Sequence, residues 1–231
     1  MVLLFTAGAL VLLLVGATAG LALSGRLGSS APATPDNNSV DAGFARDMIV
    51  HHDQGVLMAH YAEQNTTDPE IAVMAYDLGY TQTDQIGQMQ GWLSLWDLPE
   101  SGDGTHMGWM GGDSSHGGMG MGSTAASAAP TQGSGTGAPV PAQKPLMPGM
   151  ATQSEISTLQ NLRGVESDIY FLQLMVRHHQ GGQPMMQYAA QHATNAVARN
   201  FAQKMADAQD SEIAVMTQML AERGAEPIPS N

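Results

Sequence analysis

FARDMIVHHDQGVLMAHY, residues 44–61, returns as FLQLMVRHHQGGQPMMQY at residues 171–188. Phe, Met, a His-His pair, Gly, Met and Tyr recur at the same relative positions, offset by 127 residues. The register holds without a gap beyond this stretch. Gln64 matches Gln191, Ala75 matches Ala202, Gln82 matches Gln209, Ile86 matches Ile213, Met89 matches Met216 and Leu93 matches Leu220. Fifteen of the fifty positions from Phe44 to Leu93 are identical in the second copy, more than chance supplies at one fixed register. The chain therefore carries an internal duplication, and each copy has the pattern of one helical hairpin.

In the first copy, Ser39 or Asp41 offers an N-cap, and apolar positions keep a 3.6-residue period from Phe44 to about Gln64. Asn65 to Glu70 reads as a turn and a restart, with Asp68 as cap, Pro69 at the first helical position and Glu70 at the positive end of the dipole. The next helix carries Ile71, Leu78, Gln82, Met89 and Leu93 and ends before Pro99. So short a turn predicts an antiparallel pair. In the second copy a short helix opens at Ser154-Glu155, and Gly164 stops it. A long helix then begins near Glu166 or Ser167 and passes through His178 and His179, with a kink expected at Pro184. The last helix runs from about Asn195 to Glu222.

Outside the repeats the chain is of another kind. Val2 to Leu23 is an apolar run without charge, long enough to span a bilayer and also readable as a signal peptide. The expected organisation is an anchor or signal segment over 1–23 and a flexible tether over 24–38. Repeat 1 occupies 39–98, a disordered Gly/Met/His-rich linker 99–153, and repeat 2 residues 154–226. Either reading of the N-terminus puts the repeats outside the cytoplasm, anchored to the cell membrane or secreted.

The net charge of −13 argues against a nucleic-acid partner, which needs a basic face. With no Cys there are neither disulfides nor thiolate metal sites. Against that stand 17 Met and 8 His. The ordinary use of Met is to fill gaps in a helical core. A lone buried His is more often a hydrogen-bonded core residue than a ligand. A His-His pair repeated together with its upstream Met points beyond both. Met48 precedes His51 and His52 by three and four residues, and Met175 stands likewise before His178 and His179. Those separations bring side chains together on one helix face. Adjacent helical residues point about 100° apart, so one His of each pair is expected to face the interior and the other the helix seam. Folding each hairpin adds Met89 and Met216 as further thioethers. The expected metal set is Met48, His51, His52, Met89, Met175, His178, His179 and Met216. Mixed thioether and imidazole ligands suit copper as Cu(I), with Ag(I) or Cu(II) as alternatives. In the linker, His106, Met107, Met110, His116, Met119 and Met121 form a second candidate set.

These residues give the chain a family resemblance. Met48, His51, His52, Met58, Gln82, Ile86, Met89, Trp92 and Leu93, and in the second copy Met175, His178, His179, Met185, Gln209, Ile213, Met216 and Leu220, resemble the pattern of the domain-of-unknown-function family 305. The resemblance covers about residues 40–98 and 164–223. It implies an all-α, ferritin-like four-helix bundle built from the two hairpins. Some similar extracytoplasmic proteins bind copper or silver and help cells tolerate them. Departures occur at Gln187, Met219 and Pro184, where the first copy has His60, Trp92 and Leu57.

The function expected is binding without turnover: a copper protein for tolerance, buffering or delivery, attached to the membrane by its N-terminal segment. A copper-transport or oxidase partner is unidentified. The alternatives are a metal-free helical interaction module, a haem protein, and a ferritin-like dimetal oxidoreductase. The last wants Glu-x-x-His on two helices, and no such sequence occurs.

Overall fold

Three of the four long helices start where a side chain satisfies free N–H groups, at Ser39, Asp68 and Asn195. The Ser39 hydroxyl accepts from the Ala42 N–H at 3.2 Å, and α1 runs Val40–Asn65. Asp68 accepts from the Glu70 N–H at 2.9 Å, Pro69 takes the first turn, and α2 runs Pro69–Leu95. A single 3-10 turn follows at Gly108–Met110. Thr152 and Glu155 form a reciprocal capping box that opens α3, Gln153–Asn161. Helix α4 spans Gly164–His192. Asn195 accepts from Val197 and Ala198 to start α5, Ala196–Glu222. This computed structural model describes residues 34–102, 105–111 and 147–230. Among them the chain is all-helical, with five α-helices and no strand. The apolar run 2–23, most of the tether, and the linker residues His116, Met119 and Met121 lie outside the described residues. No described helix is long and apolar enough to cross a membrane.

Helices α1 and α2 form one hairpin, α4 and α5 the other, and the hairpins join chiefly through α1 against α4. The two central helices are antiparallel. Asp41, at the start of α1, accepts from the N–H groups of Thr194 and Asn195, beyond the end of α4, at 3.0 and 2.8 Å. Arg223, at the end of α5, pairs with Asp68 at the start of α2. The outer helices also meet at the other end, where Trp92 stands edge-on to Phe201 with centroids 4.9 Å apart.

The core is divided in two. One apolar cluster gathers the end of α1, the starts of α2 and α4, α3, and the end of α5 around Met58, Leu78, Leu159 and Phe171. The other gathers the opposite ends around Phe44, Met48, Met89 and Met185. Fully burying a side chain the size of Phe44 or Phe171 contributes about 1.5–3 kcal/mol. The layer between the clusters holds the four paired histidines, Gln82 and Gln209, all buried.

Two expectations are corrected. The segment 99–153 is not irregular throughout: residues 105–111 and 147–152 lie against the bundle. Asp47 binds the first stretch through three hydrogen bonds. A Cβ on Gly43 would fall inside the Trp109 side chain, so the glycine makes the notch that admits this ring. Gln54 binds the second stretch, accepting from Ala151 N–H at 2.6 Å and donating to its carbonyl at 2.9 Å. Helix α4 begins at Gly164 rather than near Glu166 or Ser167, and Pro184 lies inside it. The residue whose carbonyl loses its donor to that proline, Gln180, is exposed.

Asp41 is fully buried and its carboxylate also accepts from the Thr194 hydroxyl at 3.0 Å. Asp41→Ala would strand two backbone donors at the junction of α4 and α5. A loss of about 2–4 kcal/mol is expected from the urea unfolding midpoint. A change below about 0.5 kcal/mol would show that the contact carries no stability.

Candidate functional site

His51, His52, His178 and His179 are each wholly inaccessible to solvent. Both members of each pair are therefore interior, where one was expected at the helix seam. The reason is that α1 and α4 are flanked on two sides. His51 and His178 face each other across the α1–α4 crossing, their ring centroids 3.8 Å apart and 31° from parallel. His52 and His179 turn instead towards the partner helix of their own hairpin.

Each imidazole is held through Nε2. His178 Nε2–H donates to the His51 backbone carbonyl at 2.8 Å, and His51 Nε2–H to the Pro148 carbonyl at 3.3 Å. His52 donates to Gln85 Oε1 at 2.7 Å, and His179 to Glu212 Oε2 at 2.9 Å. Gln85 and Glu212 are equivalent positions of the two copies, each 33 residues beyond its histidine. With an oxygen acceptor opposite every Nε2, the proton belongs on that nitrogen, which leaves Nδ1 with a bare lone pair. All four Nδ1 atoms are buried without a hydrogen-bond partner, and so are Gln82 Oε1 and Gln209 Oε1. Six orphaned polar atoms in one layer are costly, at about 1–3 kcal/mol each.

Three of the rings are also held neutral. Burial lowers His51 to about 4, with the neighbouring His179 adding to it while the Pro148 carbonyl and Asp47 oppose. Burial lowers His52 to about 3, aided by His51. Burial and the neighbouring histidines push His178 well below the ordinary imidazole value. A neutral imidazole is the form that ligates metal.

Met48, Met89, Met175 and Met216 are fully buried. The four are divided between the two apolar clusters. Met48 and Met89 belong to one apolar cluster, Met175 and Met216 to the other. Because α1 and α4 are antiparallel, the residue three before each first histidine lies on the opposite side of the layer. Gln82 Nε2 points at the Met175 sulfur from 4.0 Å. Among the described residues, no three His, Cys, Asp or Glu side chains converge as a ready metal cage.

Of the linker set, His106 donates from Nδ1 to Asp47 at 2.8 Å, the Met107 N–H donates to Asp47 at 2.6 Å, and Trp109 Nε1 donates to it at 2.7 Å. Met107 and Met110 are half-buried.

The strap 147–151 was missed in the sequence. Its Pro148 carbonyl covers His51, and Gly149 lies at φ +80°, where a Cβ would stand 2.6 Å from the Arg177 carbonyl and 2.8 Å from the Gly181 Cα. Only glycine fits that crossing. The one sequence signal was the Pro148-Gly149 pair, which marks a turn but not what the turn covers. Gln85 and Glu212 were findable, since the 127-residue offset makes them equivalent.

Comparison with known proteins adds the following. A family model described as domain of unknown function 305 (DUF305) matches residues 41–220. A crystal structure of a DUF305 protein from Streptomyces coelicolor, described as a presumed secreted protein, is similar with a TM-score of 0.68. It shares 38% identity over 84% of this chain and 99% of its own. A DUF305 fragment from Deinococcus radiodurans is similar in fold, with a TM-score of 0.58, 23% identity, and coverage of 83% and 99%. No relative was found among proteins of curated function.

The depressed histidines predict acid sensitivity. Below pH ~6.5 the unfolded chain binds protons at His51, His52 and His178 that the folded chain refuses, down to about 4 at His51 and about 3 at His52. Each contributes stability that is present at neutral pH and is lost at about 1.4 kcal/mol per pH unit as the pH falls through that window. Urea unfolding of the metal-free protein at steps from pH 7 to pH 4.5 would read this slope. A flat profile would contradict the burial of neutral rings.

Proposed function

The chain belongs to the DUF305 family, and from the buried histidine layer inside that family's domain we propose that it is an extracytoplasmic binding protein for a soft monovalent metal ion, Cu(I) or Ag(I). The observation that carries this is the set of four buried Nδ1 lone pairs without partners, each ring oriented by an oxygen on its other nitrogen. Metal-ligating histidines are oriented in this way by their outer-shell partners. His51 and His178 are the central ligands, with His52 and His179 behind them. Met48 and Met175 offer a thioether from each side of the layer. Imidazole with thioether, the Glu212 carboxylate being engaged by His179 Nε2, suits a soft cation and disfavours Mg or Ca.

Placement outside the cytoplasm is supported by the presumed secretion of the Streptomyces coelicolor protein and by the apolar N-terminal run. The expected ferritin-like character extends only to ligands borne on facing helices. The Glu-x-x-His element of dimetal oxidoreductases is absent from the sequence, which favours storage or delivery over turnover. A metal-free interaction module is the competing account. It draws on the lack of three converging His, Cys, Asp or Glu side chains among the described residues.

The test is an anaerobic titration of the full chain with Cu(I) against a chromogenic chelator, beside His51→Gln, His178→Gln and the quadruple His→Ala variant. Affinity is expected to fall about 10–100-fold in each single variant and further in the quadruple one. Unchanged affinity in the variants would move the metal elsewhere in the chain. Absence of competitive binding by the wild type would leave the interaction module as the better account.

A further inference from the structure

The two apolar clusters are related by the duplication, so packing alone would furnish them alike. They are furnished differently. Among the described residues, the cluster that holds Phe171 has four Met and five Leu in seventeen buried residues. The cluster that holds Phe44 has seven Met and one Leu in fifteen. Leu fills such space with better-defined rotamers, and Met is chosen where a flexible sulfur is wanted.

Two of the seven come from outside the repeats. Met147 and Met150 come from the strap, and half-buried Met107 and Met110 from the stretch pinned by Asp47 pack against the same cluster. Neither stretch belongs to the repeats, so none of these four residues has a duplicated counterpart. Their burial forms a series. Met107 and Met110 are partly exposed, while Met147 and Met150 are buried at 2% and 7%. Between those two lies Pro148, whose carbonyl accepts from His51. Met48, one helical turn before His51, is in the same cluster.

We propose that this end of the bundle is a thioether relay, along which a soft monovalent cation passes from Met107 and Met110 through Met150 and Met147 to the His51–His178 pair. The inference rests on the metal-binding function proposed above and adds a direction to it. The opposite end, rich in Leu, is the closed one. Each step exchanges one neutral ligand for another, sulfur for sulfur and at the end sulfur for imidazole nitrogen, and involves neither proton nor electron. No thioether needs deprotonation, so passage is independent of pH in the range where the histidines stay neutral.

The test is stopped-flow transfer of Cu(I) from a chromogenic chelator to the full chain. Three proteins are compared: wild type, the M107L/M110L/M147L/M150L variant, and a control, M58L/M219L, altered in the other cluster. Met→Leu conserves volume and is tolerated in cores. The relay variant is expected to load about tenfold more slowly, with its final affinity unchanged, which also certifies its fold. The control should load at the wild-type rate. Equal rates for relay variant and wild type, or equal slowing of the control, would overturn the relay and leave the metal site standing. A wild type that takes up no Cu(I) would remove the site itself, and the relay with it.

Discussion

The His178 Nε2–H to His51 carbonyl bond is the constraint on which the other contacts depend. It joins equivalent positions of the two copies at the point where α1 crosses α4, and it does so beside a close, tilted ring pair. A shift of one residue along either helix would turn both rings away from the crossing, because successive side chains differ by about 100°. The register fixed there places Asp41 under the start of α5 and Arg223 beside Asp68. Buried polar contacts of this kind are weak sources of net stability, but they select one arrangement among many that an apolar seam would allow.

Much of this was legible in the sequence. The duplication, the two hairpins, the Asp68 cap and the start of the last helix near Asn195 follow from period and spacing. What was not legible depends on contacts through space. Whether His51 and His52 are both interior is decided by how many helices flank α1, which no single-helix pattern records. Met48 and Met175 have the same local relation to their histidines, yet the antiparallel crossing sets them on opposite sides. The docking of residues 105–111 and 147–152 left no period to read. It rests on a notch at Gly43, three bonds to Asp47 and a glycine at Gly149 with positive φ. Composition alone described those stretches as irregular, and their composition is indeed that of a loop.

The histidine layer opposes stability and specifies chemistry at the same time. Leucines in those positions would join the two apolar clusters into one and would remove six unpartnered polar atoms. The chain keeps the layer in both copies, together with the polar partner that orients the second ring of each pair. Gln85 became Glu212, or the reverse, without loss of the hydrogen bond to the histidine opposite. Local rules of foldability are broken at this layer and kept elsewhere, which is how a binding site commonly presents itself.

The near-symmetry of the α1–α4 crossing carries a consequence about origin. An interface in which residue 51 meets residue 178, its own counterpart, is isologous. A half-length ancestor with a single hairpin would therefore have met a second copy of itself through this surface, assembling the histidine layer as a homodimer. Joining two such genes head to tail makes the pairing intramolecular and independent of concentration. It also releases the halves from identity. The intervening segment could then be built onto one end only, giving a once symmetric object a front and a back.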